Sequence, residues 1–374
     1  MMESTFDTRA IVLITALLLP IIGFFMAATP YLMRRGEVFA VTVPSAAQQD
    51  SYLKKLKRQY SLIVSLTTVL ITAIAFVFAL MGEGTGVMVV VIVGTLVLCV
   101  GGYLLMLAYR ARTKSYKRDQ GWVAEVQESV AAVGEGAIPQ ALSLRWNLLY
   151  VPIVLVTAAL GVIGYPHMPD MIPMHADFAG NVNSWEPKSP SVVGFPLFMQ
   201  AFLIVCFLFS HWVILRSKKW SEPGAPATSA LAYGMFARAQ SIFLLASGLA
   251  LTAVIGIVFM LSALDVLSLG QAGALVMAVT VPILIGAIAV SVVYGQAGSR
   301  VFKRMQGSDA ILADDDEHWK LGVFYFNADD PSLFLPERFG VGWTVNWARP
   351  AVWAIIVGGA LLTAGFIVGV TLLV

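Results

Sequence analysis

The chain alternates between long apolar runs and short polar connections, and eight of the runs are charge-free and long enough to cross a bilayer. They lie approximately at Ile11–Leu32, Ser61–Met81, Gly86–Tyr109, Leu148–Tyr165, Phe195–Leu215, Ser241–Leu264, Gly273–Tyr294 and Ala351–Val374. The pattern predicts an all-α membrane protein with eight transmembrane helices. A secretory leader is the alternative for the first run, but Glu3 and Asp7 spoil a basic n-region and Arg34–Arg35 follow as a stop. His211 is the ionisable group nearest a span interior, close to the basic edge at Arg216, where it reads as an interfacial or helix-bonded histidine. Gly365 and Gly369 form a GxxxG in the last run, a weak sign of close helix contact.

Composition agrees with lipid as the solvent. Hydrophobic residues make up 58% and charged residues 12%, against about 25% charged in a soluble domain. A net charge of +2 excludes a generally basic nucleic-acid binder. Cys99 and Cys206 sit inside apolar runs and cannot build a disulfide framework. Of the 24 basic residues, only Arg9 and Lys188 fall outside the loops that follow spans 1, 3, 5 and 7. The positive-inside rule therefore makes those loops cytoplasmic and puts both termini outside. The expected organisation is three spans with their loops (1–145), a helix–cap–helix unit (146–216), spans 6 and 7 (217–295), a cytoplasmic module (296–349) and a last span (350–374).

The cytoplasmic loops carry local signals. Ser45 and Gln48 fit a capping box ahead of a helical run to Tyr60. Leu53, Leu56 and Tyr60 share one face there, and Lys54, Lys55, Lys57 and Arg58 cover the other. This suits either a helix on anionic headgroups or a plain stop-transfer cluster. Trp122, Val126 and Val130, with Glu125 and Glu128 interleaved, predict a short amphipathic helix. The acidic run Asp314–Glu317 beside His318 reads as a solvated linker, since it lacks the spacing of a calcium loop. Beyond it, Phe339–Ala348 alternates with period two and predicts a strand. Leu321–Phe326 is its expected partner across the turn-forming Asn327–Pro331, giving a small β-containing module.

One external connection is long, Pro166 to Pro190. Its prolines keep it extended, and Gly180 beside Asn181 suggests a turn with positive φ, so it reads as an ordered cap. His167, His175, Asp177 and Glu186 are available as metal ligands or acid–base groups, but their spacing matches no zinc pattern. No nucleophile elbow, HExxH, P-loop or dinucleotide fingerprint is present, so neither an enzyme nor a cofactor is expected.

The string Pro166…Pro169…Ile172-Pro173-x-His175…Gly180…Trp185…Lys188 resembles the SdpI-like family of bacterial multi-pass membrane proteins. The family pattern is roughly P-x-x-P-x-x-I-P-x-H-x-x-x-x-G-x-x-D-x-W-x-x-K, and Asn183 stands where Asp is frequent. Glu37-Val-Phe39-Ala-Val41-Thr-Val43-Pro44 resembles the E-L-F-G-V-R-V-P segment of its longer members, with Ala40 and Thr42 departing from it. The stretch Trp319 to Asn346 resembles their small C-terminal domain of unknown function.

The resemblance implies a bacterial plasma membrane location and a non-enzymatic immunity or signal-sensing role. It also implies an extracellular peptide or envelope ligand at His175, Asp177, Gly180, Trp185 and Lys188. Trp319, Asn327, Asp330, Arg338, Trp343 and Asn346 would serve a cytoplasmic module that docks a regulator. Membrane lipids are the remaining expected partner. The competing expectations are a transporter or lipid-handling protein with the loop as a lid, and a metal-dependent hydrolase using His167, His175 and Asp177.

Overall fold

The computed structural model describes residues 15–34, 36–123, 138–176, 182–219, 226–301 and 314–373. Its helices are α1 (Leu18–Leu32), α2 (Ser51–Leu80) and α3 (Gly84–Asp119, with a π turn at Val97–Gly101). They continue with α4 (helical from Leu144 to His167, with 3-10 turns at both ends) and α5 (Ser191–Arg216). The last three are α6 (Pro226–Ala253, extended through a π turn at Val254–Val258 to Ala263), α7 (Leu269–Tyr294) and α8 (Pro350–Leu373).

Seven of these, α2 to α8, are long and apolar enough to cross a membrane. The described part of α1 has 15 residues, and Ile11–Ile14 of the expected first span lie outside the described residues. Lipid is required by what these helices expose. Leu62, Leu66, Val69 and Leu70 of α2 are each more than half exposed, a patch no water-soluble monomer of this size carries.

Each of the seven helices begins or ends beyond its apolar run, because polar residues outside the hydrocarbon still satisfy the backbone by helical bonding. The clearest case corrects a sequence expectation. The run to Tyr60 is the first part of α2 and continues unbroken to Leu80. Its N-cap is Asp50, whose carboxylate accepts from the Leu53 amide at 2.9 Å, while Ser45–Gln49 forms a separate 3-10 turn. Helix α1 lies antiparallel on α2: Ser61 donates to the Ala27 carbonyl at 2.6 Å, and Gly23 admits the Thr68 side chain.

Among the described residues, four two-stranded antiparallel pairs accompany the helices. They pair β1 (Glu37–Val38) with β2 (Val41–Thr42), β3 (Met171–Ala176) with β4 (Val182–Pro187), β5 (Trp319–Lys320) with β6 (Phe324–Tyr325), and β7 (Phe334–Pro336) with β8 (Trp343–Val345). Residues 171–176 and 182–187 of the connection expected to be extended form the β3–β4 pair. The module also pairs differently from the expectation: β6 meets the end of β8 through a parallel bridge, Tyr325 to Asn346, and each forms a hairpin with another strand. Asn327–Pro331 is therefore a crossing connection, built around Asn346. The buried Asn346 amide donates to the Asn327 and Asp330 carbonyls at 2.7 and 3.0 Å and accepts from the Asn327 and Ala348 amides.

The β3–β4 hairpin precedes α5, and the module meets Ser217 and Lys218 just after it. At 26 residues, α5 places the two about 39 Å apart, at opposite ends of the bundle.

Candidate functional site

The hairpin is pinned to the spans from below. Ile172 is fully buried with Met168, Val192, Met260 and Ala263 in one apolar cluster. Lys188 donates to the Met168 and Pro166 carbonyls at 3.0 and 3.3 Å and lies 5.0 Å over the Tyr165 ring. That places a cation on the last carbonyls of α4, where the helix dipole favours it. The outer face is open: His175 is exposed, with Nδ1 2.6 Å from Asn183 Oδ1, and Trp185 is 50% exposed across from Pro173. Asp177 and Gly180 lie outside the described residues; of the other expected ligand-facing residues, His175 and Trp185 are exposed and Lys188 is turned to the end of α4. Beside them, an apolar groove of about 490 Å³ runs along α4 to Leu264 and Val266, with His167 at its edge.

At the other end, a charge lock holds the module. Its hub is Arg338, 1% exposed at its side chain. The guanidinium bonds to Asp315 and Asp316, lies 3.4 Å from Glu37, and donates to Thr42 Oγ1 at 3.0 Å and to the Ala40 carbonyl at 3.2 Å. It also rests 5.1 Å over the Trp319 ring, whose indole N–H donates to Asp315 at 3.0 Å. Glu37 pairs in addition with Arg34, and Asp314 and Asp316 with Lys117 of α3 at 2.5 and 2.8 Å. Arg110 of α3 donates to the Ala40 carbonyl and, at 3.3 Å, to that of Trp319.

While Glu317 stays exposed, Asp314, Asp315 and Asp316 of the acidic run belong to the lock, correcting its reading as a solvated linker. Its counter-ions come from residues about 200 positions earlier and 22 later, a proximity that only the fold creates. Burial alone would raise the Asp315 and Asp316 carboxyls. Arg338 outweighs it, with Arg34 assisting at Asp315 and Lys117 at Asp316, so both are held below the ordinary carboxylate range.

The β1–β2 turn that fits this lock has positive φ at both Phe39 and Ala40 (48° and 57°). That is the geometry of a tight hairpin turn, and it points the Ala40 carbonyl at the two arginines.

The other expected module residues also face inward. Asp330 accepts from Lys218 at 2.6 Å and from the Tyr325 hydroxyl at 3.1 Å, and its other oxygen accepts from the Ser332 amide. Asn327 closes a turn on the Asp329 and Asp330 amides. Trp343 packs 5.5 Å from Phe236 and against the cluster of Ile214, Tyr233, Ala237 and Ala297. Gln296, which the sequence reading did not single out, is fully buried after α7 and clamps the Glu337 and Gly342 carbonyls and the Gly342 amide. Asp330, Trp343, Trp319 and Arg338 tie the module to span ends and to the β1–β2 turn, and Asn327 and Asn346 bond within the module.

A second polar group lay hidden in the spans because none of its members carries a charge. Gln200 of α5 is fully buried and donates to Thr157 Oγ1 of α4 and to the Thr252 carbonyl of α6, both at 2.9 Å. Thr252 lies two residues before the π turn. Gly256 makes the room: a Cβ there would fall 1.8 Å from Gln200 Nε2. Nearer the module, His211 is bonded by both ring nitrogens, to Asn147 at 2.9 Å and the Leu142 carbonyl at 2.8 Å, as a helix-bonded histidine. Of the GxxxG pair, Gly369 receives the Phe198 ring. Val126 and Val130 of the expected amphipathic helix lie outside the described residues, and Trp122 stacks edge-on to Tyr116.

Comparison with known proteins finds two short matches. Residues 153–199, from α4 through the hairpin into α5, match a domain of unknown function (DUF1648). Residues 328–353, from the Asp330 turn to the start of α8, match a family of unknown function (DUF5808). No curated protein and no solved structure matches the chain. Seven apolar helices, a hairpin at one end and a charge-locked module at the other make this an integral multi-pass membrane protein that carries two domains of unknown function.

Proposed function

We propose that the chain is a non-enzymatic, SdpI-like sensor or immunity protein of the bacterial plasma membrane. Its β3–β4 hairpin faces outward to meet an extracellular peptide or envelope ligand, and its module faces the cytoplasm and reports to a regulator. The observation that carries this reading is the half-exposed Trp185, held on a hairpin whose underside is immobilised by Ile172 and Lys188. An exposed aromatic on a rigid support is how a recognition surface gains contact area at small entropic cost.

The connection to the module supports the same reading. Helices α5 and α6 each contribute to the cluster under the hairpin (Val192; Met260, Ala263) and to the cluster under Trp343 (Ile214; Tyr233, Ala237). A ligand that shifts the hairpin therefore loads two helices that also seat the module. The test is survival of a deletion strain of the native host in its own conditioned medium. Selective killing is expected, reversed by the wild-type gene and not by His175→Ala/Trp185→Ala. Full rescue of every phenotype by that double variant overturns the role given to the hairpin.

A further inference from the structure

The lipid-facing side of α2 does not end with its apolar residues. Leu80, Val69, Leu66 and Leu62 lie on one helical face at helical spacing, and the same face continues down to Arg58 and Lys55, both exposed. Leu62 to Leu80 covers about 27 Å, close to the hydrocarbon thickness of a bilayer. Arg58 then stands about 6 Å beyond the last of these leucines and Lys55 about 10 Å beyond, within the headgroup layer.

Helix α3 brings Arg112 to the same level, because α2 and α3 run antiparallel with Tyr60 against Tyr109 (6.0 Å) and Tyr52 against Tyr116 (4.6 Å). Arg112 is exposed and lies 5.0 Å over the Tyr109 ring. Tyr52, Tyr116 and Trp122 form the aromatic belt that marks this depth.

Most of the nearby carboxylates are already engaged. Asp50 caps α2 and accepts from the Tyr116 hydroxyl at 3.0 Å, Asp314 and Asp316 hold Lys117, and Asp315 and Glu37 hold Arg338. Among the described residues, Lys55, Arg58 and Arg112 have no carboxylate within ion-pair distance. We propose that this end of α2 and α3 is a binding site for the headgroup of an anionic phospholipid, with Lys55, Arg58 and Arg112 as its cations and the α2 stripe from Leu62 to Leu80 receiving an acyl chain.

The test uses the full chain in bilayer discs of phosphatidylcholine, alone or mixed with phosphatidylglycerol, with native mass spectrometry reading the lipid retained on the released protein. Wild type is expected to retain phosphatidylglycerol in excess of its share of the disc. At about fivefold per charge, the variant Lys55→Gln/Arg58→Gln/Arg112→Gln should lose about a hundredfold in its affinity for that lipid. Its thermal midpoint in pure phosphatidylcholine should match wild type. Should it fall there, the three single variants, each expected to lose about fivefold, decide instead. Unchanged enrichment in the variants overturns the site. Displacement of the lipid by inorganic phosphate overturns it in favour of a free-anion site.

Discussion

Replacing Arg338 by Met keeps most of the side-chain volume and removes the hub of the charge lock. Breaking a buried ion pair from one side costs about 3–5 kcal/mol, because the partner charges stay buried without compensation. Two features put this case at the low end. Asp315 is 48% exposed at its side chain and water screens it. Lys117 still holds Asp316, Arg34 still holds Glu37, and Arg110 still caps the Ala40 carbonyl. The expected loss is about 3 kcal/mol in the seating of the module, equivalent to an open population about a hundredfold larger.

Amide hydrogen exchange reads that opening directly at the Lys218 amide, whose bond to Phe334 forms only with the module in place. The pH dependence has a fixed sign. Asp315 and Asp316 have folded values below their unfolded ones, so their contribution is complete at neutral pH and disappears as the pH falls below about 4. The gap between wild type and Arg338→Met should therefore narrow on acidification. Adding Asp316→Asn to Arg338→Met should cost less than the sum of the two single changes. Exchange within about threefold of wild type at neutral pH would refute the assignment of Arg338 as the hub.

Three further outcomes follow from particular contacts. Burial pushes the Glu337 carboxyl up to about 7, so the folded state binds a proton that the unfolded state has released and wild-type stability falls as pH rises from about 4.5 to 7. Glu337→Gln should remove that slope and raise stability at pH 8 by about 1–2 kcal/mol, measured as the thermal midpoint at pH 5 and pH 8. Gly256→Ala drives a methyl group into Gln200 Nε2 and should cost about 1–3 kcal/mol, with part of it recovered in Gly256→Ala/Gln200→Ala. Ala40→Gly relieves a left-handed alanine at φ 57° and, after the entropic cost of glycine, should stabilise the lock by about 0.5 kcal/mol, seen as slower exchange at the Val43 amide, which bonds to Gly36.

The one-dimensional pattern determined the solvent. Apolar runs of about twenty residues have no soluble solution, so the spans and their approximate limits were legible from composition and order alone. Short-range chemistry was legible as well: the turn residues around Asn327 and Asp330, the period-two run at Trp343–Val345 and residues 171–176 and 182–187 of the Pro166–Pro190 connection became non-helical structure. What pairs with what was not legible, because strand registers and ion pairs depend on distances through space. Asp314–Asp316 carries the same local signature whether it faces water or Arg338 and Lys117, and only the return of the module onto α3 and the β1–β2 turn decides between them. Gln200 gave no signal for the opposite reason. A neutral amide barely lowers the hydropathy of an apolar run, and its importance comes from partners on two other helices, Thr157 and Thr252, that only the fold brings to it. Position in the sequence told which residues enter the membrane, and the tertiary fold told which polar groups it must satisfy once they are there.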